Sequence, residues 1–338
     1  MQLISHTKIW DQGEHNAFCD LCRWQGALYC VFREGQAHVS DDGALRVLKS
    51  TDDGQSWQAE ALIQSELGDL RDGKLLAHAG RLWLFGAASK HGKAPLQSLM
   101  WHSLDGINWS APEKVADTGY WLWRVTEAED GLYGVGYRPG ADGDVRLYRS
   151  ERLQASQSGT LQFTPWVVPL QNDGYVNESS LLFRGGEQIR SAQTSSDTEA
   201  LCLLRRDPVW DAQETGLLGK AKAPFKTWHW QQLSCRIGGP VAFFYNDRLL
   251  AVVRLYDNKV RTSLVEIDSA TAQVTELLTL PSGGDTSYAG IELDGDELKL
   301  VYYSGHEGKT AIYFARIGLK KVKVPTNNTC LLDTSQCD

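Results

Sequence analysis

One unit of about fifty residues recurs along the chain, and a repeat of that period restricts the fold to propellers, solenoids or arrays. Six copies are visible, each with a polar-rich entry, an apolar strand, a Gly or Asp turn and a further strand. The first three read Asp20-Leu21 then GALYCVFREG, Asp69-Leu70-Arg71-Asp72 then GRLWLFGAAS, and Trp123-Arg124 then DGLYGVGYRP. The other three read Asn177-Glu178-Ser179-Ser180 then GEQIRSAQTS, Arg236-Ile237-Gly238-Gly239-Pro240 then DRLLAVVRLYD, and Asp285-Thr286-Ser287-Tyr288 then DELKLVYYSGH. A third strand follows in each (LRVLKS, QSLMWHS, VRLYRS, ALCLLRR, VRTSLVEI, TAIYFARI), and a looser fourth such as Trp57–Ile63 completes the sheet. Four short antiparallel strands per unit, with no long helical period, specify an all-β six-bladed β-propeller over residues 1–324. The blades are expected at 15–63, 64–115, 116–168, 169–234, 235–280 and 281–320, with 1–10 adding an outer strand to the last and hiding its edge. Residues 325–338 read as a polar tail.

Two turns repeat a second, local signature. Ser50-Thr51-Asp52-Asp53-Gly54-Gln55-Ser56-Trp57 has the form S-x-D-x-G-x-x-W, and Ser103-Leu104-Asp105-Gly106-Ile107-Asn108-Trp109 is one residue shorter. In such a turn the Ser and Asp oxygens cap backbone N–H groups, the Gly supplies a positive φ and the Trp packs back across the hairpin. Both Trp side chains are expected to be buried in equivalent turns of neighbouring blades, away from the central channel. The irregular stretch Pro208–Lys226 reads as a surface loop with a helical turn.

A formal net charge of −8 argues against nucleic acid or an anionic membrane as the main partner, since either needs a basic face. The start MQLISHTKIWDQGEH has no basic segment followed by an apolar core, so the chain reads as cytoplasmic and untethered; its oligomeric state is left open. Cys19 and Cys22 form a C-x-x-C with no second ligand pair, which points to buried structural thiols rather than a metal site, and Cys330 and Cys337 are expected reduced in the tail.

In a propeller the entry loops converge at one mouth of the channel, so residues fifty apart in sequence become neighbours. The entry position reads Asp20, Arg71 with Asp72, Arg124, Glu178, Arg236, and Asp285 with Tyr288. A purely structural repeat would place small or apolar residues there. A ring of carboxylates, arginines and a tyrosine points instead to a binding or catalytic site.

With these motifs the chain resembles the sialidase (neuraminidase) superfamily, propellers with BNR or Asp-box repeats. The likeness is carried by the two turns above, Phe32-Arg33-Glu34-Gly35, Asn177-Glu178-Ser179, Arg261-Thr262-Ser263-Leu264 and Thr286-Ser287-Tyr288. It implies a tyrosine nucleophile assisted by a glutamate, by position Tyr288 and Glu178. The anomeric carbon of a sialoside bears a carboxylate that repels an anionic nucleophile, whereas a phenol starts neutral. The resemblance further implies three arginines clamping the substrate carboxylate and an aspartate as general acid. The sequence departs from that pattern at two places. Ala17-Phe18-Cys19-Asp20-Leu21 stands where the first arginine is expected, and Ala192-Gln193-Thr194 where the second would follow the glutamate. The third matches Arg261 or Arg254. For the acid, Asp41-Asp42 fits the family's loop, while Asp72 and Asp20 fit the repeat position.

The expectation is therefore a sialidase-like glycoside hydrolase acting on an acidic sugar (sialic, ulosonic or uronic), without metal or organic cofactor. Tyr288, Glu178, Asp72 and Asp20 are the expected catalytic residues. Arg33, His38, Arg71, Arg124, Arg236, Arg254, Arg261 and Asp285 are the expected substrate contacts, His38 also as a proton shuttle. Two alternatives stand beside this one. A glycosidase or polysaccharide lyase would work with carboxylates such as Asp20 and Asp72 on another acidic glycan. A non-catalytic sugar-binding propeller is favoured by the missing arginines.

Overall fold

The computed structural model describes residues 1–154, 159–185, 199–209 and 211–320; Ala192-Gln193-Thr194, Cys330 and Cys337 lie outside the described residues. Six four-stranded antiparallel sheets form the blades of a β-propeller. Blade one consists of His15–Trp24, Ala27–Gly35, Ala44–Ser50 and Gln58–Ile63, and blade two of Asp69–His78, Arg81–Ser89, Gln97–Ser103 and Glu113–Lys114. Blade three holds Trp121–Ala128, Gly131–Tyr137, Val145–Ser150 and Thr164–Gln171; blade four Tyr175–Arg184, Glu199–Asp207, Leu217–Lys222 and His229–Gln232. Blade five holds Ile237–Tyr245, Arg248–Leu255, Arg261–Ile267 and Val274–Thr279. Blade six runs Thr286–Asp294, Glu297–Ser304, Ala311–Gly318, and its outer strand is Gln2–Trp10, which pairs Gln2 with Gly318 and Trp10 with Ile312.

The first strand of each blade is innermost, and these strands pack on one another around the axis. The second strands are sandwiched between neighbouring blades, so they bury both faces. Gly131–Tyr137 is buried at every position, and Ala27–Gly35 at all but Glu34. Such strands read as continuous apolar runs rather than alternating ones. Each fully buried Leu or Val in them contributes about 1.5–3 kcal/mol. The fourth strands lie on the rim and are mostly exposed, as in Gln58–Ile63.

Blade four departs from the sequence reading. Glu199–Asp207, expected as a third strand, pairs directly with the inner strand and is the second; the third, Leu217–Lys222, lies inside the stretch expected to be a loop. The run Ala200–Leu204 is apolar on both faces and buried throughout, as a second strand is. The short LLGKAK, with a Gly and two Lys, carries little strand signal.

The two signature turns staple blades together. Ser50 Oγ accepts from Gly54 N (2.8 Å), Asp52 Oδ1 accepts from Ser50 Oγ (2.8 Å) and Ser56 N (2.9 Å), and Trp57 Nε1 donates to Gly54 O (3.2 Å). The second turn repeats the Ser103–Gly106 and Ser103–Asp105 bonds. Gly54 (φ 89°) and Gly106 (φ 76°) need glycine twice over: a Cβ on Gly54 would lie 2.4 Å from the Phe314 ring of blade six, and one on Gly106 2.4 Å from the Tyr29 ring of blade one. Trp57 and Trp109 are half-buried rather than buried. Trp57 spends its inner edge on Phe314, with ring centroids 5.6 Å apart.

Candidate active site

The meander places two sets of loops at one end of the channel: those entering each inner strand and those joining second to third strands. Near this end the pairing of every inner strand with its second strand slips. The slips fall between Ala17 and Asp20, Arg71 and Lys74, Leu122 and Arg124, Val176 and Ser179, Gly238 and Val241, and Ser287 and Gly290. A bulge sets an extra residue against the partner strand and re-aims side chains. Phe18, Asp72, Gly239 and Tyr288 sit in these bulges with φ of 60°, 53°, 52° and 50°. For the three that carry side chains this left-handed backbone costs about 1–3 kcal/mol each, and such strain clusters at functional sites.

The bulges surround a cavity of about 210 Å³ lined by Phe18, His38, Arg71, Asp72, Ser89, His91, Trp121, Trp123, Tyr137, Glu178 and Tyr288. Three expected catalytic residues, Tyr288, Glu178 and Asp72, are thus brought together, from blades six, four and two. The Tyr288 hydroxyl donates to Glu178 Oε1, and Glu178 also accepts from Arg205 Nη1 (2.6 Å) and, through Oε2, from Gly239 N (2.7 Å). Arg205 Nη1 also donates to the Tyr288 hydroxyl (3.2 Å), while its Nη2 pairs with Asp207 (2.9 Å). Burial, and then the Glu178 charge, push the Tyr288 phenol well above its ordinary pKa, so it is neutral until a base takes its proton. The Arg254 guanidinium lies 5.2 Å from the Tyr288 ring centre and donates to Thr286 O (2.6 Å) and Tyr303 Oη (2.9 Å).

Asp72 is 5% exposed, its Oδ1 has no partner, and its nearest cation is Arg71, with Nε 4.0 Å from Oδ2. Burial pushes its carboxyl up to about 6 despite Arg71 and Lys74. Across the cavity Trp121 stacks on Tyr137 at 5.7 Å, with its buried Nε1 also unpartnered. Unpaired buried polar atoms in a cavity mark where a ligand's own polar groups fit.

Asp20 does not line the cavity. It lies below the bulge, fully buried, with Oδ1 bound by Arg124 Nη1 (2.8 Å) and Oδ2 by Leu75 N (2.9 Å). With Lys74, whose Nζ donates to Cys19 O (3.1 Å), this pair plugs the channel beneath the cavity. Asp20 and Arg124 are therefore corrected to internal partners: the extra bulge residues put Phe18 and Trp123 at the mouth in their place. Arg33 is also fully buried and holds Asp69 (2.7 Å) and the carbonyl of Ala37 (2.8 Å). Arg236 pairs with Asp207, lies 4.0 Å from the Tyr256 ring centre and is not among the lining residues. Arg261 is engaged by Glu276 (2.7 Å) and Asp257 (3.2 Å) and is likewise outside the lining. Arg71 and His38 do line the cavity, and Asp285 stands behind His38, with Oδ2 2.8 Å from His38 Nδ1. Asp41 is exposed and paired with Lys93 (3.1 Å), while Asp42 caps Gln36 N. Cys19 and Cys22 are free and buried, as expected.

The sequence reading missed Arg205 and the aromatic wall. Arg205 was hidden by the misplaced strand of blade four, although Leu204-Arg205-Arg206-Asp207 ends an apolar run as Phe32-Arg33-Glu34 does in blade one. Trp123 is the extra residue of the bulge between Leu122 and Arg124, so the alternation of the strand did not mark it as facing the cavity.

No family model matches the sequence, and no curated protein matches it either. Solved structures do. A protein of unknown function from Dyadobacter fermentans has a TM-score of 0.75 at 16% identity, covering 94% of this chain and 99% of its own. An α-L-arabinofuranosidase from Fusarium graminearum, solved with an iminosugar inhibitor, has 0.66 at 13%, covering 94% and 98%. The sialidase of Trypanosoma rangeli has 0.64 at 12%, covering 90% of this chain and 54% of its own. At these identities the likeness carries the fold, a six-bladed β-propeller shared with glycoside hydrolases.

Proposed function

We propose that this protein is a glycoside hydrolase in which Tyr288 attacks the anomeric carbon while Glu178 takes its proton, acting on a terminal sugar that carries a carboxylate. The observation that carries this reading is the buried Tyr288–Glu178 hydrogen bond, joined by Arg205, at the wall of a cavity of sugar size. A neutral phenol suits an anomeric centre made electron-rich by an adjacent carboxylate. Arg205, beside the phenol oxygen, and Arg71, on the lining, supply the positive field that such a group needs. The cavity admits one sugar unit and is plugged below, which fits attack at a chain end.

A second reading rests on a specific observation. Arg33, Arg124, Arg236 and Arg261 are all engaged away from the cavity, whose lining is largely aromatic and acidic. That lining also fits a neutral sugar hydrolysed by the carboxyl groups of Asp72 and Glu178. The test is Tyr288→Phe, assayed with aryl glycosides of acidic and neutral sugars. The proposed reading expects turnover to fall by roughly 10³-fold or more with ligand affinity almost unchanged, because only the reacting oxygen is lost. A modest loss in Tyr288→Phe, with collapse in Asp72→Asn, decides for the second reading. Wild-type protein that turns over no aryl glycoside removes both.

A further inference from the structure

A glycosidic bond breaks only if the departing oxygen receives a proton, and besides the Tyr288–Glu178 pair the cavity wall holds Asp72, His38 and His91. His91 has its Nε2 2.9 Å from the buried Asp69 carboxylate, which leaves Asp72 and His38 as the candidate donors. Their depths differ. Asp72 is 5% exposed within its bulge, whereas the His38 side chain is 51% exposed on the loop between the second and third strands of blade one. Asp20, Lys74 and Arg124 fill the space below, so a leaving group extends outward through the mouth, and the loop that carries His38 forms part of that mouth's lining.

That loop is fixed from beneath. Arg33 Nη1 donates to Ala37 O (2.8 Å), its Nη2 to Ser40 Oγ (2.9 Å), and Arg71 Nη1 to His38 O (2.9 Å). The ring itself stands edge-on to Phe18 at 5.1 Å, with Nδ1 2.8 Å from Asp285 Oδ2. Asp285 is in turn held through Oδ1 by the Tyr303 hydroxyl (2.6 Å) and Arg254 (3.3 Å), and its carboxyl is strongly acidified by hydrogen bonds from His15, His38 and Tyr303, which outweigh the cost of burying it. A carboxylate on Nδ1 fixes the imidazole's orientation and leaves Nε2, on the opposite edge, as the nitrogen that exchanges protons. Nε2 has no hydrogen-bond partner among the described residues.

We propose, on the strength of the hydrolase reading above, that His38 is the general acid and base of the reaction, oriented by Asp285, and that Asp72 receives a hydroxyl of the bound sugar instead. In the first step the bond from the anomeric carbon to the leaving oxygen breaks with its electron pair, that oxygen takes the proton of His38 Nε2, Tyr288 oxygen bonds the carbon, and the phenol proton passes to Glu178. In the second step water bonds the carbon and gives a proton to His38 Nε2, the bond to Tyr288 breaks, and Tyr288 recovers its proton from Glu178. The sugar is released with its configuration retained.

His15 Nε2 also approaches Asp285 Oδ2 (3.2 Å), and the three groups would suit a divalent metal by spacing. A ligating imidazole almost always donates its other N–H. His15 Nδ1 is buried without a partner, which argues for a bare nitrogen and an imidazole that donates to Asp285 instead.

The experiment compares His38→Gln with wild type on 2,4-dinitrophenyl and methyl glycosides of one sugar, with and without azide. Loss of the acid should cost roughly 10²–10⁴-fold on the methyl glycoside, whose leaving group needs the proton. It should cost far less for formation of the tyrosyl intermediate from the dinitrophenyl glycoside. Azide, which needs no base, should restore release and give a glycosyl azide of retained configuration. Equal losses on both substrates with no azide rescue overturn the proposal. So does wild-type turnover that is abolished by a chelator and restored by zinc, since His38 would then be a ligand. An unaffected His38→Gln beside an inactive Tyr288→Phe removes this inference and leaves the hydrolase reading standing; an inert wild type removes both.

Discussion

Replacing Asp72 by Asn should make the protein more stable at neutral pH and no more stable in acid. The side chains are nearly the same size, and Asn tolerates the left-handed backbone that residue 72 adopts at φ 53°. Burial, which penalises its charge, pushes the carboxyl up to about 6 in the folded state, against an ordinary 3.8. The folded state therefore holds this proton more tightly than the unfolded chain. Below pH 4 both states are protonated and Asp72 costs nothing. Between pH 4 and 6 the native protein loses stability, and above 6 the full penalty stands, at 1.36 kcal/mol per pKa unit or about 3 kcal/mol. Asn has no charge to bury. With an unfolding entropy of roughly 0.7 kcal/mol/K for a chain of this length, the variant should melt about 4 °C higher at pH 7.5 and within about 1 °C of wild type at pH 4. Calorimetric scans of both proteins at pH 4, 5, 6 and 7.5 read the difference directly, since every other titrating group is common to the pair. A variant less stable than wild type at pH 7.5 would mean that Arg71 and Lys74 hold the carboxylate more strongly than burial opposes it. The burial argument for Asp72 would then fail. Activity should fall in the same variant, the usual exchange between stability and function at a site.

Arg205→Met should destabilise by about 3–5 kcal/mol, read from urea unfolding, because it leaves Glu178 without its charged partner in a buried setting and breaks one of the two pairs of Asp207. Near-normal stability would show that Gly239 N and Tyr288 satisfy Glu178 unaided. Gly106→Ala should cost about 1–3 kcal/mol through both its positive φ and the Tyr29 ring. An unchanged urea midpoint would remove the idea that this turn joins blades one and two.

The fifty-residue period made the propeller legible, because six similar units can bury their strands only by stacking round an axis. It also gave Asp72, Glu178 and Tyr288, whose polar types stand out at an entry position. What the period could not carry was the bulge. An extra residue in an inner strand leaves no mark in the pattern of apolar residues, so the reading of blade one stopped at Asp20 and that of blade three at Arg124. In the structure Phe18 and Trp123 face the cavity and the charged pair lies beneath. Arg205 was lost for another reason: a run buried on both faces looks the same whether it is the second or third strand of its sheet. His38 was legible as a candidate proton shuttle on its loop, but not the carboxylate that orients it, because Asp285 comes from the far end of the chain.

The pairing of Gln2–Trp10 with Ala311–Gly318 also sets an order of assembly during synthesis. Blades one to five draw their strands from contiguous chain and can form as they emerge, whereas the strand made first must wait for the last to leave the ribosome. Through that interval it is an unpaired edge, a form prone to intermolecular pairing. Its composition suits the wait: the polar run Ser5–Lys8 interrupts the apolar residues of QLISHTKIW, and even in the closed ring no position of the strand is fully buried. Moving these nine residues behind Gly318 in a circular permutant would make the sixth sheet contiguous too, and would let ring closure keep pace with elongation.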